Sequence, residues 1–454
     1  MSIDDIQDRK LAHLHIVTDA ALMAARFAAS APELATGITL THCAIEKIYY
    51  RPAHSCTVLY RLHGHDAAGA RLDQWVCGKV YPSGRAHKRF AEALALTQSE
   101  ARRRGEPNSP WQPVSFWRDL DMVLWVFPHD AKLPILTRLV ETDFVKNEIN
   151  AGLAASSRAG QVTVERIKYM PGKRCVLRYA CDGVDGKRRR FYSKTYFDGK
   201  SRYHFQLLQK AYEYFHSRPG RVQIPRPLRH LEGCNTIWQE EWQGQALLQA
   251  LETQEWPALF SRLTEVAADL HDSALPDLPP GPDLEEALKV AVNDGAELGE
   301  LLPALQEPVA ELLGALSRCH AEFPPAEIPR VPIHGAFRLE QMLMRGEEFA
   351  VVDFDALACG DPWFDAAEFV ASLQFLELSH GFSRPRLHAA AELFVEEYAQ
   401  RVPWRCDRRR LAWYVLAFLI SKMFLAVKNL DRRALQELDS AGIEICNTWL
   451  AKLG

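Results

Sequence analysis

No two of the ten cysteines form a Cys-x-x-Cys pair. Scattered as Cys43, Cys56, Cys77, Cys175, Cys181, Cys234, Cys319, Cys359, Cys406 and Cys446, they offer neither a zinc-ligand spacing nor a disulfide framework. An excess of one charge is missing too: 54 Lys and Arg face 58 Asp and Glu, which gives no general pull toward nucleic acid or an anionic membrane. The basic runs Lys187–Arg190 and Arg408–Arg410 are short and read as solvated turns or helix faces. Long apolar runs are scarce. The best of them, Leu411–Val427, is interrupted by Lys422 and reads as a buried core helix rather than a membrane span. Met1–Lys10 mixes acidic and basic residues, so no signal peptide is expected and the chain is read as cytoplasmic and reduced. What remains is an ordinary globular composition over 454 residues, enough for two or three packed units.

One stretch occurs twice. When Ile45–Tyr60 is laid on Val164–Tyr179, Glu46/Glu165, Ile48/Ile167, Tyr50/Tyr169, Pro52/Pro171, Cys56/Cys175 and Tyr60/Tyr179 coincide. After a loop of different length the match resumes, Gly78-Lys79-Val80-Tyr81-Pro82-Ser83-Gly84 against Ser193-Lys194-Thr195-Tyr196-Phe197-Asp198-Gly199. Each copy reads as a three-stranded antiparallel meander (45–50, 56–62 and 75–81; 164–169, 175–180 and 191–196). A helix follows over 86–100 or 202–216, then one further strand over 122–127 or 236–242. From about Gly244 the pattern turns helical, with stretches at 257–273, 283–302, 308–322, 362–378, 384–401, 408–428 and 435–453. Pro-rich breaks at 275–282 and 323–332 divide them. The expected units are 1–150 (a helical segment and the first copy), 151–243 (the second copy) and 244–454.

The second break leads into Val331-Pro332-Ile333-His334-Gly335-Ala336-Phe337-Arg338-Leu339-Glu340-Gln341. Val351-Val352-Asp353-Phe354-Asp355 and Gly360-Asp361-Pro362-Trp363-Phe364-Asp365 follow. This ordered set resembles the catalytic loop and metal-binding segment of the aminoglycoside phosphotransferase and choline kinase superfamily. The resemblance implies an α+β, protein-kinase-like, two-lobed fold, here with a duplicated N-lobe and one mainly helical C-lobe. Two positions depart from the family pattern: Ala336 stands where the catalytic Asp belongs, and Gln341 where the metal-binding Asn belongs.

The resemblance also implies where ATP and Mg²⁺ would lie. Lys194 on the third strand would meet the phosphates, as Lys79 would in the first copy, although a strand lysine can equally be an exposed edge charge. The turn Met170–Arg174 offers Gly172, Lys173 and Arg174 to cover the phosphates. The first copy's Arg51-Pro52-Ala53-His54-Ser55 has no glycine, and either turn can be an ordinary hairpin. Glu240 and Trp242 would border adenine at the hinge. Asp353, with Asp355 beside it and Gln341 across from it, would hold the metal. Around Ala336 the remaining catalytic candidates of the loop are His334, which opens it, Arg338, which could neutralise a γ-phosphate, and Glu340, which could in principle substitute as a base. Asp365 reads as a brace for the loop or a helix cap, and His271 as a packed structural histidine. No helix-borne Glu is evident as the lysine's partner: Gln206 and Gln209 stand where it is expected, and Glu213 lies too far along.

A loop without its Asp lacks the group that accepts the nucleophile's proton. The leading expectation is therefore a pseudokinase-like protein that binds nucleotide or serves as a scaffold, with the extra lobe available to a protein partner. The alternatives are an active small-molecule phosphotransferase with a rearranged base, and a nucleotidyl transferase. No acceptor follows from the sequence, since Glu285, Glu286 and Asp294 read as a solvated helix face.

Overall fold

The computed structural model describes the whole chain except residues 1–2, 7, 31–36, 105–110, 153–158, 184–185, 219–221 and 324–328. Part of the Pro-rich break at 323–332 therefore lies outside the described residues. Two five-stranded antiparallel sheets form the N-terminal half. The first contains β1 (Ile38–Arg51), β2 (Ser55–Asp66), β3 (Arg71–Val80), β4 (Val114–Trp117) and β5 (Met122–Val126), in the order β1-β2-β3-β5-β4. The second contains β6 (Ala159–Met170), β7 (Arg174–Gly183), β8 (Arg188–Tyr196), β10 (Pro227–Leu231) and β11 (Thr236–Glu240), in the order β6-β7-β8-β11-β10. The topology is the same, and each sheet has one strand more than the pattern predicts. The additional strands, β4 and β10, are short edges, and β10 is half-exposed along its length, so neither shows the alternation of a strand with one buried face.

The correspondence begins well before the sheets. A helix of ten residues precedes each, α1 (Ala20–Ala29) and α3 (Thr142–Ala151). Met23 and Phe27 on α1 are buried in the same core cluster as Val58, Tyr60 and Val76, and Val145 and Ile149 on α3 in the same cluster as Leu177, Tyr179 and Phe191. Tyr60 donates its hydroxyl to Val17 O at 2.6 Å, and Tyr179 to Leu139 O at 3.1 Å. Further upstream, Asp8 accepts from the Tyr50 hydroxyl and Ala53 N, both at 2.8 Å. Asp130 accepts from the Tyr169 hydroxyl at 2.8 Å and Gly172 N at 2.6 Å. Residues from Asp130 onward thus belong structurally with the second sheet. Their side chains fill the space between the sheets, where Leu136 and Leu139 share one core cluster with Leu59 and Trp75 of the first.

A helix follows the third strand of each sheet, α2 (Ala86–Arg104) and α4 (Ser201–His216). The C-lobe is built from α5 (Trp256–His271), α6 (Leu284–Leu301), α7 (Pro303–Glu322), α8 (Pro362–His380), α9 (Arg384–Arg401), α10 (Arg408–Lys428) and α11 (Ile443–Leu450). Helix α7 starts five residues earlier than its pattern indicates and carries Pro308 inside. At its centre lies α8, with Pro362 at its first position and Asp361 capping it through Trp363 N at 3.0 Å; Gly381 in the left-handed region ends it. Its residues are buried from Pro362 through Gln374, so it has no solvent face to show as a periodic stripe. Helix α10 is the single described helix long and apolar enough to cross a membrane, and 72% of its most apolar window is buried inside the protein. Two small ladders complete the lobe. One joins β12 (Gln245–Ala246), β14 (Met342–Arg345), β15 (Glu348–Val351) and the parallel β9 (Val222–Gln223), tying the second sheet's chain to the C-lobe. The other pairs β13 (Val331–Ile333) with β16 (Ala358–Gly360) and sets the loop between them.

Candidate active site

The loop that leaves β13 is held from below by one buried carboxylate. Asp365, on the first turn of α8, accepts from His334 N at 2.5 Å and Gly335 N at 2.9 Å. It also lies 3.3 Å from His271 Nε2, and His271 Nδ1 meets the Tyr398 hydroxyl at 2.5 Å. Asp365 is therefore a brace for the loop, and Asp361 is the helix cap. His334 Nε2 stands 3.0 Å from Val352 O and must carry a proton to bond it. Burial lowers the pKa of its imidazole, and its Nδ1 is buried without a partner. A neutral, fully enclosed ring in this position holds the loop to β15. Gly335 has φ +72°, and a Cβ there would come within 2.4 Å of Ala356 O, so only glycine lets the two loops meet. Ala336 follows, half-buried.

On Asp353 and Asp355, charges converge from three elements. Lys194 Nζ on β8 bonds Asp353 and lies 2.6 Å from Asp355 Oδ2. Arg174 Nη1, at the start of β7, reaches Asp355 at 3.2 Å and Asp353 at 3.9 Å. The Tyr196 hydroxyl donates to Asp355 Oδ1 at 2.9 Å, and His204 Nδ1 on α4 stands 4.0 Å from the same oxygen. Asp353 itself is in the left-handed region, φ +69°. Burial pushes its carboxyl up, but the nearer Lys194 and Arg174 outweigh this and hold it well below the usual carboxylate range. The lysine's carboxylate partners are thus Asp353 and Asp355, from the loop, and the residue that α4 turns toward the cluster is His204, two positions before Gln206.

The other expected site residues divide between this cluster and its surroundings. Gln341 is buried, and its main-chain carbonyl accepts from Val352 N at 2.9 Å, next to Asp353 in the chain. Gly172 is in the left-handed region and fixed by Asp130, which sets the turn leading into Arg174. Lys173 is exposed, and the charges nearest it are Arg51, Lys428 and Lys132 rather than the loop carboxylates. At the hinge, Glu240 lies 3.4 Å from Arg226, and the Trp242 ring lies under the Arg345 guanidinium at 4.7 Å. Arg338 reaches Glu368 on α8 at 3.6 Å, while Glu340 is exposed. Burial raises the Glu368 carboxyl to about 7 against the pull of Lys422 and Arg338. Neither Glu368 nor Lys422 is marked by the motif, and no local pattern points to them. Glu285 and Glu286 lie exposed in the first turn of α6, as a solvated face should, but Asp294 on the same helix is half-buried and its carboxyl is pushed up by burial.

Among the described residues no group of three or more His, Cys, Asp or Glu is placed to hold a metal alone. Mg²⁺ needs fewer protein ligands where phosphate oxygens and water supply the rest, and the two carboxylates that converge on Lys194 fit that case.

A family model described as phosphotransferase enzyme family matches residues 181–414, just over half of the chain. The chain belongs to that family. The matched stretch takes in β8, β10 and β11 of the second sheet with the end of β7, and most of the C-lobe; it leaves out β6 and the whole first sheet. This phosphotransferase-family protein has an α+β fold of antiparallel sheets and a mainly helical C-terminal part, with an added N-terminal sheet. Among solved structures it is similar to spectinomycin phosphotransferase APH(9)-Ia bound to ADP and spectinomycin, at 12% identity and TM-score 0.47, covering 69% of this chain and 99% of that one. It is also similar to a choline/ethanolamine kinase family protein from Mesorhizobium loti, at 16% identity and TM-score 0.45, covering 68% and 98%. A third is choline kinase from Cryptosporidium parvum, at 12% identity and TM-score 0.46, covering 68% and 94%. No curated protein matches the chain.

Proposed function

We propose that this phosphotransferase-family protein is a cytoplasmic, pseudokinase-like binder of Mg·ATP whose cleft holds nucleotide and transfers its phosphate poorly. The observation that carries this reading is the intact cluster of Lys194, Arg174, Asp353 and Asp355 in a chain that has Ala336, with only a methyl group, at the loop's Asp position. Phosphoryl transfer asks the protein for positioned charge and a proton acceptor. The first is present. Lys194 and Arg174 are the cations that would move from the carboxylates to the phosphates, and Asp353 and Asp355, with the Gln341 amide, would hold the metal, which neutralises phosphate charge when bound. The second is missing from the loop, and losing a general base costs about 10²- to 10⁴-fold in rate. Ten free thiols fit a reducing compartment.

Calorimetry with Mg·ATP and an ATP-consumption assay on the wild type, Ala336→Asp and Asp353→Ala test this. The expected result is nucleotide binding by the wild type with little turnover, ATP consumption raised at least tenfold in Ala336→Asp, and binding lost in Asp353→Ala. Wild-type γ-phosphate transfer at a rate that Ala336→Asp does not raise would overturn the reading.

One observation favours a second reading, an active phosphotransferase with a relocated base. Glu368 is a buried carboxyl raised to about 7, beside Arg338 of the catalytic loop, and a base works best with a pKa near the working pH. In that case the wild type turns over and Glu368→Gln abolishes it.

A further inference from the structure

The first sheet presents the same lysine to an opposite kind of neighbour. Lys79 holds on β3 the place that Lys194 holds on β8. Each ammonium lies over the ring of the tyrosine two residues on, at 5.3 Å from Tyr81 and 5.2 Å from Tyr196. Each of those tyrosines donates its N–H to the carbonyl of a left-handed residue, Asp121 or Asn235. The turns between the first two strands also correspond, since Asp8 holds Ala53 (φ +55°) as Asp130 holds Gly172 (φ +67°). The difference lies in what faces the lysine. Two carboxylates face Lys194, whereas the charges around Lys79 are Lys132, Arg51 and Lys173.

These cations come from separate elements that packing brings together. Arg51 ends β1, Lys173 sits in the β6–β7 turn, and the Tyr49 hydroxyl joins the two strands by donating to Tyr169 O at 3.2 Å. Lys173 O accepts from Phe197 N at 2.9 Å, and the ring of Phe197 lies under the Lys132 ammonium at 4.5 Å. Helix α10 packs against β1 and ends in Lys428, a further cation near Lys173. Among the described residues, none of these five side chains has a carboxylate at ion-pair distance. The nearby acids are committed elsewhere or stand at the edge. Asp8 and Asp130 each hold a tyrosine and a turn, Asp294 bonds Ser421 and lies near Lys428, and Glu297 lies near Tyr50. Burial lowers the pKa of Lys79; the neighbouring Cys77 opposes this, and the like charges of Lys132, Arg51 and Lys173 lower it further. Five unpaired cations drawn together repel one another unless an anion joins them.

We propose that this junction is a second anion site, which takes a small phosphorylated molecule directly on its lysines and without a metal ion. Lys194 faces carboxylates and needs a divalent cation to bring phosphate in; Lys79 faces only cations and does not. Four of the five groups are lysines, point charges suited to phosphate rather than to the planar fork of a carboxylate. The patch is confined to a three-way junction in a chain of net charge −4, which favours a compact anion over a nucleic acid strand.

The test is calorimetry of the full chain with sodium pyrophosphate in EDTA, with circular dichroism of each variant as a control for folding. Binding at one site is expected, weakened at least tenfold by Lys79→Gln and by Lys132→Gln, and unchanged by Lys194→Gln, which instead loses Mg·ATP. No binding, binding indifferent to both junction variants, or binding lost in Lys194→Gln overturns the proposal. So does an oligonucleotide that binds more tightly than pyrophosphate through the same residues, which would make nucleic acid the ligand. The proposal does not rest on the nucleotide cleft, and Lys194→Gln separates the two.

Discussion

Lys194 Nζ lies 2.6 Å from Asp355 Oδ2, so the second sheet is tied to the C-lobe loop by an ion pair between residues 161 positions apart. The same ammonium bonds Asp353, and Arg174 adds a second cation. Because the two carboxylates are still 24% and 22% exposed, this cluster is worth less than a fully buried pair. Lys194→Ala should cost about 1–2 kcal/mol at pH 7. Asp353 has its pKa depressed in the folded state, so its contribution is complete above the unfolded value of about 4 and is lost as pH falls toward the folded value. Urea denaturation at pH 7 and pH 3 should show the gap between wild type and Lys194→Ala narrowing at the lower pH. A gap of constant size would mean that the lysine stabilises by packing rather than charge.

The loop around Ala336 is legible in the sequence because its residues are consecutive and their spacing to Asp353 and Asp365 is part of the pattern. The partner of Lys194 is not. A helix carboxylate is the natural place to look, yet the carboxylate arrives from a loop through tertiary contact, and nothing near Lys194 in sequence announces it. The start of the second unit is hidden for a different reason. Asp8-x-Lys10-Leu11-x-x-Leu14 recurs as Asp130-x-Lys132-Leu133-x-x-Leu136, but its helical parts, Leu14–Val17 and Leu136–Leu139, are one turn long and too short to show periodicity. What could have found it is the recurrence of the Asp and Lys themselves. Glu368 and Lys422 lie on helices so buried that two charged positions among apolar neighbours read as interruptions of a core face.

Glu368 gives the protein a pH dependence of the opposite sign to that of Asp353. Burial raises its pKa to about 7, so between an unfolded value of about 4.3 and 7 the folded state keeps a proton that the unfolded state releases. Stability contributed by this group therefore falls as pH rises through that window, by up to about 1.4 kcal/mol per pH unit. The charges facing it are Lys422 from α10 and Arg338 and Glu340 from the loop, with Asp365 one turn earlier on α8. Glu368→Gln should remove the decline, so that wild type and variant diverge steadily from pH 5 to pH 7. Parallel stability profiles over that range would show that Glu368 is ionised throughout.

Asp8 and Asp130 perform the same structural task in the two units, but only one of the turns they hold leads to the cluster of Lys194, Arg174, Asp353 and Asp355. Each carboxylate accepts a tyrosine hydroxyl and the N–H of a left-handed turn residue. Hydrogen bonds to a charged group are worth about 1.5–3 kcal/mol, so Asp8→Ala and Asp130→Ala should each lower stability by about that amount, read from denaturant midpoints. Binding should separate them. The turn fixed by Asp130 leads directly into Arg174, which reaches Asp355, whereas the turn fixed by Asp8 leads to Ser55, with no ion pair from Arg51 to a C-lobe carboxylate among the described residues. Asp130→Ala is expected to weaken Mg·ATP several-fold in calorimetry, with Asp8→Ala leaving it within twofold of wild type. Equal losses in both variants would mean that the first unit lines the nucleotide cleft as well, and that the division of labour between the two turns is wrong.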